Sequence, residues 1–108
     1  MASLSTHYFT LNETTALYKN IFNLLDDWGY FISRVNSIKE YMYNDKDDIS
    51  ETIEENYYRL KDGRVKRYFD ILAMRNFLKS FKIIDINESD FIYHGNKKYF
   101  IDGIAQKI

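Results

Sequence analysis

The residues able to do chemistry are few and dispersed. Histidine occurs twice, at His7 and His94, and cysteine is absent. His7 sits near the amino terminus and His94 in a polar turn, with no carboxylate or second imidazole at metal-ligand spacing. Neither a metal site nor a Ser/His or thiolate nucleophile is expected. Four scattered glycines cannot build a phosphate cradle, which needs clustered glycines so that backbone can approach the anion. The acidic run Asp45, Asp47, Asp48, Glu51, Glu54 and Glu55 lacks the turn glycine of a calcium loop. It reads as a solvated loop entering a helix, where acids suit the dipole. Nothing here predicts an enzyme, and no cofactor is expected.

The bases are better organised. The net charge of −1 hides a division, with residues 1–58 at −6 and residues 59–108 at +5. Arg59, Lys61, Arg64, Lys66, Arg67, Arg75 and Lys79 are dense, and Lys97 and Lys98 follow in a later turn. Such asymmetry suits a polyanion-binding face, or two halves of one fold that attract each other. On a helix over 64–81, Arg64, Arg67, Arg75, Lys79 and Lys82 share an arc of roughly 120°, fit to follow a phosphate backbone.

The elements that must carry these residues are read from periodicity. A tail over 1–11, with His7, Tyr8 and Phe9 as a possible short strand, precedes a single domain over 12–108. Asn12 is a good N-cap, and Leu17, Ile21, Leu24, Leu25 and Trp28 predict an amphipathic helix ended by Gly29. Phe31, Val35, Ile38 and Met42 repeat the spacing and predict a second helix to Tyr43. Asp48 and Glu51 fit a capping box opening a third, stopped by Asp62-Gly63. The fourth spans Arg64 to Phe81. From Lys82 the period becomes alternating, with polar turns at 87–90 and 94–97, which predicts short antiparallel strands.

The expected fold class is α+β, four helices followed by a short carboxy-terminal antiparallel β-hairpin. Helices over about 31–43, 48–61 and 64–81 leading through Leu72, Phe77, Leu78 and Phe81 into Ile83-Ile84 resemble a winged helix-turn-helix domain in layout. That resemblance implies a small non-catalytic DNA-binding regulator. Arg64, Arg67 and Arg75 would face the major groove of double-stranded DNA, with Lys97 and Lys98 on the wing. The first helix, with Tyr18, Phe22 and Trp28, would supply a homodimer seam.

The alternative is a phage- or plasmid-type inhibitor that covers a host protein through Asp45 to Glu55 and the aromatic residues, 18% of the chain. Apolar runs fall far short of the roughly 20 residues a membrane helix needs. With no signal-peptide pattern and no cysteine, a cytoplasmic location is expected.

Overall fold

The computed structural model describes residues 2–5 and 9–108, so His7 and Tyr8 fall outside the described residues. In chain order the elements are β1 (Ala2–Ser5), α1 (Leu11–Leu24), β2 (Tyr30–Ser37) and α2 (Ile38–Glu40). A π-helical turn (Tyr41–Asp45) and a 3-10 turn (Lys46–Asp48) continue α2. Then come β3 (Ile49–Glu54), β4 (Tyr57–Leu60), β5 (Val65–Phe69), α3 (Ile71–Phe77), β6 (Lys82–Tyr93) and β7 (Asn96–Gln106). The strands form one mixed sheet in the order β3-β4-β5-β2-β7-β6, with β1 also on β2.

The expected four helices and short hairpin are therefore corrected, and with them the winged-helix layout. Of the residues read as the second helix, 31–37 form β2 at the centre of the sheet, and only Ile38 to Tyr43 are helical, as α2 and the π-helical turn. Phe31 and Val35 are four apart, a spacing that satisfies one strand face as well as one helix face. The segment's aromatic and β-branched residues suit a pleated surface, and Phe31, Ser33, Val35 and Ser37 alternate inward with no exposed surface. Residues read as the third helix form the β3–β4 hairpin, turned at Asn56 with φ 58°. Asp62-Gly63 does not stop a helix. It turns β4 antiparallel into β5, with Gly63 at φ 92°, a value L residues rarely adopt. Only the last part of the expected fourth helix is helical, as α3.

Helix α1 forms near its expected place but is capped by Thr10, whose side chain accepts from the Glu13 N–H while Glu13 bonds back to the Thr10 N–H. At the carboxy end, β6 runs straight through Asn87–Asp90, the expected first turn. The hairpin closes at His94-Gly95, with φ 50° and 80°, the positive pair of a type I′ turn.

β1 and β5 both run parallel to β2, along Phe31–Arg34 and at Asn36–Ser37 respectively. β7 is antiparallel to both β2 and β6, so β6 shares the direction of β2. Helices α1 and α3 lie on one face. Their Tyr18, Met74 and Leu78 pack with Phe31, Val35, Phe69, Ile101 and Ala105. Tyr18 stacks on Phe77 at 5.3 Å between centroids, and its hydroxyl is 2.7 Å from Ser33 Oγ. Gly103 admits α3 closely, since a Cβ there would come within 2.9 Å of Leu78 Cδ1.

Candidate functional site

The structure dissolves the basic stripe. Lys66 and Arg67 lie on β5, not on a helix, and both are buried. Lys66 Nζ is 3.2 Å from Asp45 Oδ2, and Arg67 pairs with Glu54. Arg59 bonds Glu51 at 3.2 Å, Arg64 bonds Asp62 at 2.7 Å, Lys97 meets Asp90 at 3.1 Å and Lys98 meets Glu40 at 3.4 Å. Lys61 lies in the β4–β5 turn, apart from Arg75 on α3 and Lys79 one turn beyond it, and all three are exposed. The regulator reading loses its recognition helix, and the hairpin read as its wing carries Lys97 and Lys98 already paired with Asp90 and Glu40. The acidic run is divided likewise. Asp45, Glu51 and Glu54 are taken by these bases, while Asp47, Asp48 and Glu55 are exposed. It forms no continuous acidic face for the inhibitor reading.

What the fold builds instead is a crevice between the carboxyl end of β5, the start of α1 and the β3–β4 turn, at the strand end where open α/β sheets place their ligands. Here β5 passes through Asp70 into α3, β1 leads towards α1, and β2 passes directly into α2. Arg67 organises one wall. Its guanidinium donates to the Phe9 carbonyl at 2.7 Å and to Glu54, and lies 4.9 Å from the Tyr57 ring centroid. Glu54 also accepts from the Leu11 N–H at the start of α1. This fork of donors fixes the entry to α1 against the meander. The crevice, about 160 Å³, is lined by Leu11, Asn56, Arg67, Tyr68 and Phe69 among others. Leu11 and Phe77 also line a larger groove of about 560 Å³ between α1 and the end of α3, floored by Tyr18, Phe22 and Phe81.

A second polar cluster supports the end of β2. Asp45 Oδ2 accepts from the Tyr68 hydroxyl at 2.6 Å as well as from Lys66. Burial, and then the bond to Asp45, push the Tyr68 phenol well above its usual range. Ser37 donates to Glu88 and accepts from the Lys39 N–H, capping α2. Buried Glu40 accepts from Asn44 at 2.7 Å and from the Tyr99 N–H at 3.2 Å.

Sequence reasoning passed over Asn36, Ser37, Glu40, Tyr57, Tyr68 and Glu88. The Asp-Gly pair, read as a hairpin, would have placed Tyr57, Arg67 and Tyr68 on paired strands. Among the described residues, no three His, Cys, Asp or Glu gather as a metal site, and no helix is long and apolar enough to cross a membrane.

The arrangement can enclose a small molecule between an aromatic groove and an Arg–Glu wall. No protein-family model matches the chain, and no curated protein matches it. Its fold does match solved structures. A SAM-dependent methyltransferase from Methanosarcina mazei superposes with a TM-score of 0.74 at 19% identity, over 98% of this chain and 57% of that one. TehB from Haemophilus influenzae superposes with a TM-score of 0.56 at 15% identity, over 94% of this chain and 32% of that one. The chain thus spans little more than half of the first neighbour and about a third of the second. The expectation of a winged-helix fold, on which the DNA-binding regulator reading rested, is overturned by these likenesses, which show a methyltransferase-like fold.

Proposed function

We propose that residues 1–108 are the acceptor-side part of a methyltransferase-type enzyme. The superposition over 98% of the chain on a SAM-dependent methyltransferase carries this reading. The cofactor itself does not fit the residues present. A nucleoside held at a strand-to-helix turn needs glycine there, so that backbone can approach it. The sequence has no glycine between β1 and α1, at the direct β2-to-α2 junction or at Asp70. The four glycines serve elsewhere, before β2, in two hairpin turns and beneath α3. The cofactor turn therefore belongs to polypeptide outside these residues. What this chain contributes is the Arg67–Glu54 wall, the crevice and the aromatic groove, which orient an acceptor and exclude water. A cytoplasmic setting belongs to the same reading, in keeping with the absence of cysteine.

The test is a chimera in which these residues replace the matched part of the Methanosarcina enzyme. Incubation with S-adenosylmethionine and a panel of small nucleophilic acceptors is expected to release S-adenosylhomocysteine, read by mass spectrometry. A folded chimera that binds the cofactor and releases none across the panel overturns the acceptor-side role. Micromolar binding of S-adenosylmethionine by the unextended chain overturns the placement of the cofactor turn.

A further inference from the structure

The groove between α1 and the end of α3, about 560 Å³, has a size usual for small-molecule sites. Its floor is a run of rings. Phe22 meets Phe81 edge to face at 5.2 Å between centroids, beside the Tyr18–Phe77 stack. Tyr18 and Phe81 are buried, while Phe22 and Phe77 keep part of their surface exposed. Water against such a floor is displaced favourably by an apolar ligand. The rim carries charge of one sign. Lys19 stands on α1 and Lys79 just beyond α3, so each wall has one ammonium group. Both are exposed, and neither pairs with a carboxylate among the described residues, whereas eight other Lys and Arg side chains do. No Asp or Glu is among the described residues lining the groove, and its other polar residues, such as Asn23 and Asn76, are neutral. Lys107 Nζ lies 4.9 Å from the Phe22 ring centroid and adds positive charge beside the floor.

We infer that this groove binds an aromatic carboxylate, its ring on Phe22 and Phe77 and its carboxylate between Lys19 and Lys79. An aromatic body suits the floor because offset and edge-to-face ring contacts add to plain burial. A carboxylate suits the rim because it gives both ammonium groups a charge-assisted partner that the fold does not supply. Leu11 and Phe77 border both this groove and the crevice beside Arg67, so the ligand lies next to the strand end. In naming the class of acceptor the inference rests on the reading above, while the binding itself does not.

The experiment titrates the 108-residue chain with naphthoate, read by equilibrium dialysis and by amide shifts in heteronuclear NMR. Saturable one-to-one binding is expected, with shifts over α1 and residues 76–81. Naphthylmethylamine, a cation of similar shape at neutral pH, should bind about tenfold more weakly, since attraction becomes repulsion. Decanoate, a carboxylate without a ring, should also bind more weakly. Lys19→Glu with Lys79→Glu should weaken naphthoate binding about tenfold, whereas Lys61→Glu, in the β4–β5 turn, leaves it unchanged. All three lysines are exposed, so these variants keep the fold. Thr15→Trp, which fills the groove from α1, should abolish binding. The inference fails if naphthoate does not saturate, if the amine or decanoate binds as tightly, or if the double reversal changes nothing. It also fails if the shifts map elsewhere or if sedimentation shows a second copy seated in the groove. Binding as expected, beside a chimera that transfers no methyl group, keeps the site and removes the methyl-transfer reading. An active chimera beside a chain that binds no naphthoate does the reverse.

Discussion

Arg67 shows how far a residue's role depends on the element that carries it. On a helix it would have been one cation in a stripe. On β5 it is 5% exposed and tied to a carboxylate, a carbonyl and an aromatic ring. Breaking a buried pair leaves its partner uncompensated, at a cost of roughly 3–5 kcal/mol. Glu54 is partly solvated, so Arg67→Ala is expected near the lower end, about 3 kcal/mol, measured by urea unfolding. Arg67→Lys should recover only part of this, because an ammonium lacks the planar fork that spans both acceptors.

Tyr68 gives a pH dependence. Its phenol is held protonated in the folded state by burial and by Asp45, whereas an unfolded tyrosine ionises near pH 10. The stabilisation is fully present below about pH 10. It falls above that value by up to about 1.4 kcal/mol per pH unit, because only the unfolded chain releases the proton. Denaturation midpoints from pH 8 to 11 should show this decline in the parent and a flatter limb in Tyr68→Phe.

At the scale of elements, what periodicity can reveal is limited by its own arithmetic. α1 was legible because Leu17, Ile21, Leu24 and Leu25 mix spacings of three and four, which no strand shares. β2 was not, because Phe31 to Val35 fits either period. The terminal hairpin was legible from alternation, but its length was not, since Asn87–Asp90 looks like a turn and pairs as a strand with Tyr99–Asp102. Asp62-Gly63 carried a hairpin signal that a preceding helix-like seam concealed. The crevice was out of reach for a related reason. Phe9, Glu54 and Arg67 converge only when a parallel sheet brings distant segments together, and single-sequence periodicity does not report parallel pairing.

The turn and the cap can be tested directly. Gly63→Ala forces an L residue into the left-handed region, with an expected loss of roughly 1–2 kcal/mol. Thr10→Ala should lose about 1 kcal/mol through the missing cap. Thermal unfolding reads both losses.

For the whole molecule, the charge division is resolved by folding the acidic half onto the basic half. Arg59, Lys66, Arg67 and Lys98 of the second half pair with Glu51, Asp45, Glu54 and Glu40 of the first. Two of those bases, Lys66 and Arg67, are buried and cannot reach a phosphate. Lys61 lies apart from Arg75 and Lys79, so among the described residues these cations line no continuous groove of one sign that would raise the local potential. Binding of duplex DNA draws its affinity from cations that displace condensed counterions, typically six to ten of them, and it weakens steeply with salt. Dispersed cations on a molecule of net charge −1 do not meet that requirement. Fluorescence anisotropy of a labelled AT-rich duplex is therefore expected to stay flat up to about 10 μM protein at near-physiological salt. Micromolar binding lost between low and near-physiological salt would mean that Arg75, Lys79 and Lys82 act together after all. In that case, reversing those three charges would abolish the signal, while Arg67→Ala would leave it unchanged.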